Sequence, residues 1–178
     1  MTKLAIEYGE GLYALAREES LTGRLMDELN ETLQVFSAAP EYARLLGNQS
    51  IAKPERLQVL DAALRGQVHP YLLSFLKILC ERGAIHELRD CMKAYQRLYY
   101  EENRISEAVV TSAAELTGEQ RSQLLSALEK KTGRKIVLRE KTDASLLGGV
   151  LLEMDGKRID GTLRHRLASL QSLISGNA

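Results

Sequence analysis

The chain has 178 residues, 44% apolar and 27% charged, the balance of a soluble globular protein rather than a disordered one, and a length that leaves room for one domain or two small ones. Twenty-four basic residues match twenty-four acidic ones, so there is no strong global field to draw in nucleic acid or an anionic membrane. No window reaches the roughly 18 apolar residues of a membrane span, and the opening stretch has neither a hydrophobic leader nor an Arg- and Ser-rich presequence. The expected place is the cytosol, or a compartment in which a leader has been removed.

From residue 1 to about 103 every segment reads as helix. Tyr8, Leu12 and Leu15 recur at helical spacing, and Ala5, Gly9 and Ala16 form a stripe of small residues beside them. Leu25, Leu29, Leu33 and Phe36 carry a second helix to a stop before Pro40. Pro40 suits a first helical turn, and a short helix with Tyr42, Leu45 and Leu46 closes at Gly47. Pro54 opens a fourth, with Leu57, Leu60 and Leu64, that ends at Gly66. Pro70 opens a fifth, with Leu72, Phe75, Leu76 and Leu79, that ends at Gly83. A sixth begins near Ile85 and runs through Leu88, Met92, Tyr95 and Leu98. Six short helices with brief connections predict a compact bundle.

After Asn103 the period changes. Ile105 to Thr111 is β-prone. Thr117 and Gln120 have the spacing of a capping box opening a helix with Leu124, Leu125 and Leu128, which stops at Gly133. Lys135 to Glu140 and Val150 to Met154 read as strands. Asp155-Gly156 then predicts a two-residue hairpin turn, because both positions must tolerate positive φ, with a return strand through Ile159. Asp160 or Thr162 caps a last amphipathic helix with Leu163, Leu167, Leu170 and Ile174 on one face. The fold class is therefore α+β: a six-helix bundle over 1–104, then a small α+β domain over 105–178. The boundary falls between about 100 and 107, at the charged stretch Glu101 to Arg104 that reads as a cleavable linker. Thirteen basic against fifteen acidic residues precede the boundary and eleven against nine follow it, too little to polarise the molecule.

No motif for catalysis or a cofactor is present. The stretch 146–167 has glycines, Asp-Gly and basic residues, but Gly148 and Gly149 are adjacent and Gly156-Lys157 is followed by Arg158. Neither the Walker spacing nor a dinucleotide fingerprint fits, so these glycines start a strand and turn a hairpin. Cys80 and Cys91 lie eleven apart without CxxC, as buried reduced thiols. His69, His86 and His165 are scattered; His69 reads as a loop residue before Pro70 and His165, between two arginines, as solvated. Asp143, Asp155 and Asp160 suit turns and caps. The basic cluster of Lys130, Lys131, Arg134, Lys135, Arg139 and Lys141 lacks interleaved aromatics and contains Glu140, so it reads as a solvated face.

Three stretches carry a resemblance. Asp143-x-Ser145-Leu-Leu-Gly148-Gly149-Val150, then Gly156, then Ile159-Asp160-Gly161-Thr162-Leu163 and Leu167, resembles the C-terminal signature of the ATP synthase delta subunit family, whose mitochondrial counterpart is the oligomycin-sensitivity-conferring protein. Tyr8-Gly-x-Gly-Leu-Tyr13-x-Leu-Ala16 is similar to that family's first helix, and Phe75-Leu76-x-x-Leu79-x-Glu81-x-Gly83 to its fifth. The sequence departs from the family pattern at Gly9 and Gly11, where alanine is usual, at Ala84, where arginine is common, and at Thr162, where serine is usual. Two glycines would loosen the first helix by about 1 kcal/mol each relative to alanine.

The resemblance implies a non-catalytic subunit of the peripheral stalk, present in a single copy on the cytoplasmic face of a cell membrane, with no cofactor and no inserted segment. It implies that the N-terminal domain binds the N-terminal helices of alpha subunits in a groove between helices 1 and 5, and that the C-terminal domain holds the end of subunit b. Such a stator resists rotor torque, so that proton flow does work on nucleotides. Helix-in-groove docking would here use Tyr8, Leu12, Leu15, Phe75, Leu76 and Leu79; the alternative for each is ordinary bundle core, which for Leu76 and Leu79 has at least as strong a claim as a groove wall. The two rows on helix 1 favour a groove: the small row can pack on a neighbour and leave the aromatic row for a partner. The alternative from another class is an RNA-binding adaptor, supported only by the 130–141 cluster and betrayed by steeply salt-dependent binding.

Overall fold

A computed structural model describes residues 1–146 and 148–161. The chain divides into two compact units, residues 1–100 and 101–178.

The first unit is helical throughout: α1 (Lys3–Glu18), α2 (Thr22–Ala38), α3 (Pro40–Gly47), α4 (Lys53–Leu64), α5 (Pro70–Glu81), a short 3-10 turn at Ile85–Glu87 and α6 (Leu88–Glu102). Local chemistry sets the ends. Thr2 caps α1 by accepting a hydrogen bond from the Ala5 amide at 3.1 Å. Prolines stand in the first turns of α3, α4 and α5, where a missing N–H costs nothing. His69 is the N-cap of α5 rather than a plain loop residue: its Nδ1 accepts from the Tyr71 amide at 3.3 Å, and its own amide donates to Glu28 at 2.7 Å. The far end of α5 closes in a Schellman turn. Gly83 takes φ +67°, and the Ala84 amide donates to the Leu79 carbonyl at 2.8 Å.

One apolar core joins these helices, with Leu25, Leu46, Leu60, Leu72, Leu88 and Tyr95 among its fully buried members. Tyr13 and Tyr95 meet edge to face at 5.1 Å, and the Tyr95 hydroxyl donates to the Thr22 carbonyl at 2.8 Å. The α1 small-residue stripe is buried as its pattern predicts. A Cβ at Gly9 would run into the Cys91 carbonyl and come within 2.8 Å of the Ala94 Cβ. Glycine here lets α1 and α6 approach more closely than alanine would allow. Arg56 is buried, with no carboxylate partner among the described residues. Its guanidinium donates at 2.9 Å to both the Leu46 and the Cys80 carbonyls, in the last turns of α3 and α5, and at 3.2 Å to Ile51. A cation suits the negative ends of two helix dipoles.

The second unit contains β1 (Ile105–Ser112), α7 (Gly118–Thr132), β2 (Lys135–Thr142), a 3-10 turn at Ala144–Leu146, β3 (Val150–Met154) and β4 (Lys157–Asp160). The strand order is β2-β1-β3-β4. β1 and β2 are parallel, from Ile105 opposite Lys135 to Ser112 opposite Thr142, and α7 supplies the crossover that a parallel pair requires. β1 alternates strictly, burying Ser106, Ala108, Val110 and Ser112. Ala108, Val110, Leu128, Ile136 and Leu152 form the core of this unit. The Thr117–Gln120 capping box is formed in both directions, at 3.0 and 3.2 Å. Asp155 and Gly156 take φ +49° and +72° between paired Met154 and Lys157, the two-residue turn expected of Asp-Gly. The α+β order read from the sequence is the order of the fold. The expected last helix, with Leu163, Leu167, Leu170 and Ile174, lies outside the described residues, as do Thr162 and His165.

Candidate functional site

Two helices of the bundle each carry a second apolar face that the core does not use. On α1 the core takes Ala5, Gly9, Leu12, Tyr13 and Ala16. Tyr8, Gly11 and Leu15, offset from them by one position, point along the flank. On α5 the core takes Leu72, Leu73, Leu76, Leu79 and Cys80, with Phe75 at its margin. Tyr71, Ser74, Phe75 and Ile78, spaced three, one and three apart, make the second face.

The two flanks meet in a cleft of about 250 Å³ lined almost entirely by carbon. Leu12 and Phe75, each 6% exposed, form its floor. Tyr8 stands edge-on to Phe75, with ring centroids 6.5 Å apart. Leu15 at 37% and Ile78 at 43% exposure are the rims, unusually open for large aliphatic side chains. Gly11 also lines the cleft, and a Cβ there would meet nothing within 4 Å. The missing side chain widens the cleft without leaving a hole in the core. A second, more polar hollow continues over Lys3, Leu4, Glu7, Tyr8 and Arg82. Since Lys3 begins α1 and Arg82 follows α5, the helices run in opposite directions along the groove.

Of the six residues expected to line the groove, Tyr8, Leu12, Leu15 and Phe75 are brought together there. Leu76 and Leu79 are not. Both are fully buried on the core face of α5, one residue round the helix from Phe75 and Ile78, and they present no surface to a partner. The sequence reading missed Glu7, Gly11, Tyr71, Ser74 and Ile78. The usable signal was Tyr71-Phe75-Ile78, an apolar row at four and three beside the Leu72-Leu76-Leu79 row.

In the second unit the signature residues shape backbone. Asp143 Oδ1 accepts from the Ser145 amide at 2.9 Å, and the Asp143 amide donates to the Ser112 carbonyl at 2.8 Å. Hydrogen bonding from the Ser145 side chain, and then from its amide, holds the Asp143 carboxyl below its ordinary range. Gly148 and Gly149 take positive φ, +139° and +81°, ahead of β3. The Gly161 amide closes the end of β4 on the Val150 carbonyl at 2.9 Å, beside Asp160. Part of the 130–141 basic cluster is engaged at home: Arg139 pairs with Glu107 at 2.8 Å, and Arg134 donates to the Ser106 hydroxyl at 3.3 Å. The neighbouring Glu140 pairs with Arg121 at 2.6 Å.

Cys80 and Cys91 are buried free thiols. Burial, aided by the Glu87 carboxylate, pushes the Cys91 thiol up to about 11, the opposite of activation. Among the described residues no group of three or more His, Cys, Asp or Glu could hold a metal ion, and no helix is long and apolar enough to cross a membrane.

Known proteins agree on what this arrangement belongs to. A family model described as the ATP synthase delta (OSCP) subunit matches residues 4–174. The ATP synthase subunit delta of Gloeobacter violaceus is 36% identical over 172 residues, covering 94% of this chain and 92% of that protein. The chloroplastic subunit delta of Emiliania huxleyi is 31% identical over 175 residues, covering 98% and 97%. A chain from the cryo-EM structure of the Toxoplasma gondii mitochondrial ATP synthase hexamer has the same fold, with a TM-score of 0.72 at 18% identity over 97% of this chain and 98% of that one. The chain belongs to the ATP synthase delta (OSCP) subunit family, and is a structural component of the peripheral stalk rather than a catalyst.

Proposed function

We propose that this chain joins the catalytic head of a rotary ATP synthase to its stalk by two separate grips. The α1–α5 groove takes the N-terminal helix of an alpha subunit, and the 105–178 unit takes the end of subunit b. The complex sits at the cytoplasmic face of a cell membrane, with one copy of the chain holding the head against rotor torque. One observation supports the first grip: an apolar cleft between α1 and α5 whose rims Leu15 and Ile78 are left open to solvent above a buried floor of Leu12 and Phe75. A helix with anchors at i, i+3/i+4 and i+7 fits such a cleft.

Tyr8 is the anchor on the α1 side. Its ring covers apolar area while its hydroxyl can stay hydrated at the rim. Truncating a central aromatic anchor typically costs about 2 kcal/mol or more, roughly thirtyfold in affinity. Tyr8→Ala should therefore weaken binding of an alpha N-terminal peptide at least about tenfold in a calorimetric titration, with the circular dichroism spectrum unchanged. Because Tyr8 also leans on Phe75, a second variant guards the test. Gly11→Trp adds a ring where there is open space and should block the cleft without touching the core. Unchanged affinity in both variants would move the alpha site elsewhere.

A further inference from the structure

The groove is not the same at its two ends. Between Leu15 and Phe75 it is carbon, but beyond Tyr8 it opens onto the hollow bounded by Lys3, Glu7 and Arg82. The Schellman turn at Gly83 fixes where Arg82 stands, at the end of α5, and its side chain is exposed. Other charges nearby are occupied. The Met1 ammonium pairs with Asp90 at 3.5 Å, and Glu81 pairs with Lys53 at 3.1 Å. Glu7 faces Lys3 at 3.6 Å, with both side chains mostly in solvent, a pair too exposed to hold its cation tightly. Arg82 makes no ion pair among the described residues, so two cations and one anion border this mouth of the groove.

Resting on the helix-in-groove reading above, we infer that this cationic mouth, centred on Arg82, selects a partner helix carrying a carboxylate at one end of its apolar face. The trough from Leu15 to Lys3 follows about 18 Å of α1, the length of a helix of roughly twelve residues. A helix seated by its apolar side chains on Leu12 and Phe75 has no freedom to slide away from the mouth. A carboxylate at that end meets the guanidinium, and a lysine there meets repulsion. The apolar floor supplies affinity, and Arg82 supplies polarity and register.

The test uses the full chain and amphipathic peptides of about fourteen residues, with leucines on one face and a Gln background. Variants of the peptide carry a single Glu or a single Lys at one end or the other. One of the two Glu peptides should bind about fivefold more tightly than the Gln parent at low salt, and the advantage should shrink as salt is raised. In Arg82→Glu that advantage should vanish and the corresponding Lys peptide should become the tighter ligand, with circular dichroism confirming the fold. Equal binding of the Glu, Gln and Lys peptides, or an advantage that survives Arg82→Glu, overturns the inference. A parent peptide that does not bind, or that binds Gly11→Trp equally well, instead shows that the groove is not a helix site at all.

Discussion

Gly9 and Gly11 stand two residues apart on one helix and call for opposite treatment. Helix propensity alone says each weakens α1 by about 1 kcal/mol relative to alanine. At Gly11 that is the whole story, since an added methyl group meets open space. Gly11→Ala should raise stability by up to about 1 kcal/mol. At Gly9 the added methyl group meets the backbone carbonyl of Cys91, which moves only if α6 moves. Gly9→Ala should lower stability by about 1–3 kcal/mol despite the better helix former. Urea denaturation of the two variants checks the contrast, and two shifts of the same sign would refute it. Asp61 gives a residue-scale handle on pH. Hydrogen bonds from Lys77 on α5 and from Arg65, the residue just past the end of α4, hold its carboxyl below the ordinary 3.8. A depressed carboxyl contributes stability that is fully present above its unfolded value and is lost as pH falls through the folded one. Wild type should therefore lose part of its margin below about pH 4. Asp61→Asn should start lower at neutral pH and fall less steeply with acid; parallel pH profiles would show that Asp61 contributes nothing to folding.

At the scale of elements, what could be read from sequence depended on whether the cause was local. The capping box, the prolines of first turns and the Asp-Gly hairpin are short-range devices, and each is where its residues put it. The two faces of α5 were not legible to the same degree. Eight of its twelve residues, from Leu72 to Cys80 with Tyr71, are apolar or aromatic, so period alone cannot say which stripe meets the core. Packing of α1 and α4 decides it, and Leu76 and Leu79 go inward while Ile78 stays out. Arg56 escaped for a related reason: a cation in a helical sequence reads as solvated unless one knows that two helix ends converge on it. The hairpin supports the sharpest prediction at this scale. Gly156 has open space around it, so volume is no obstacle, but its φ of +72° is one that β-branched residues resist. Gly156→Val should cost the second unit roughly 1–3 kcal/mol, while Gly156→Asn, which tolerates that conformation, should cost much less. Measured by denaturation, equal losses for Val and Asn would mean the turn is held by contacts rather than by backbone conformation.

For the whole molecule the question is whether the first unit is a domain in the thermodynamic sense. Sequence places the change of period just after Asn103, and the compact units divide at Tyr100 and Glu101. Glu101 and Glu102 nevertheless belong to α6, so only Asn103 and Arg104 separate the last helix from β1. A two-residue joint with a helix running up to it offers a protease little extended chain, which makes a fragment a better test than a nick. The physical case for independence is the core. The cluster of Leu25, Leu29, Leu72, Leu76, Leu79 and Tyr95 is drawn entirely from residues 1–100, as are its Arg56 clamp and its helix caps. Residues 1–104 expressed alone should therefore unfold cooperatively, with a calorimetric enthalpy of about 70 kcal/mol, as expected for a domain of this size. On the proposal that the α1–α5 groove takes an alpha helix, they should also bind the alpha peptide with the affinity of the full chain, because all the described residues lining that groove lie within them. A fragment that shows no thermal transition would mean that the bundle depends on the second unit for stability. A folded fragment that fails to bind would mean that the alpha site draws on residues after 104.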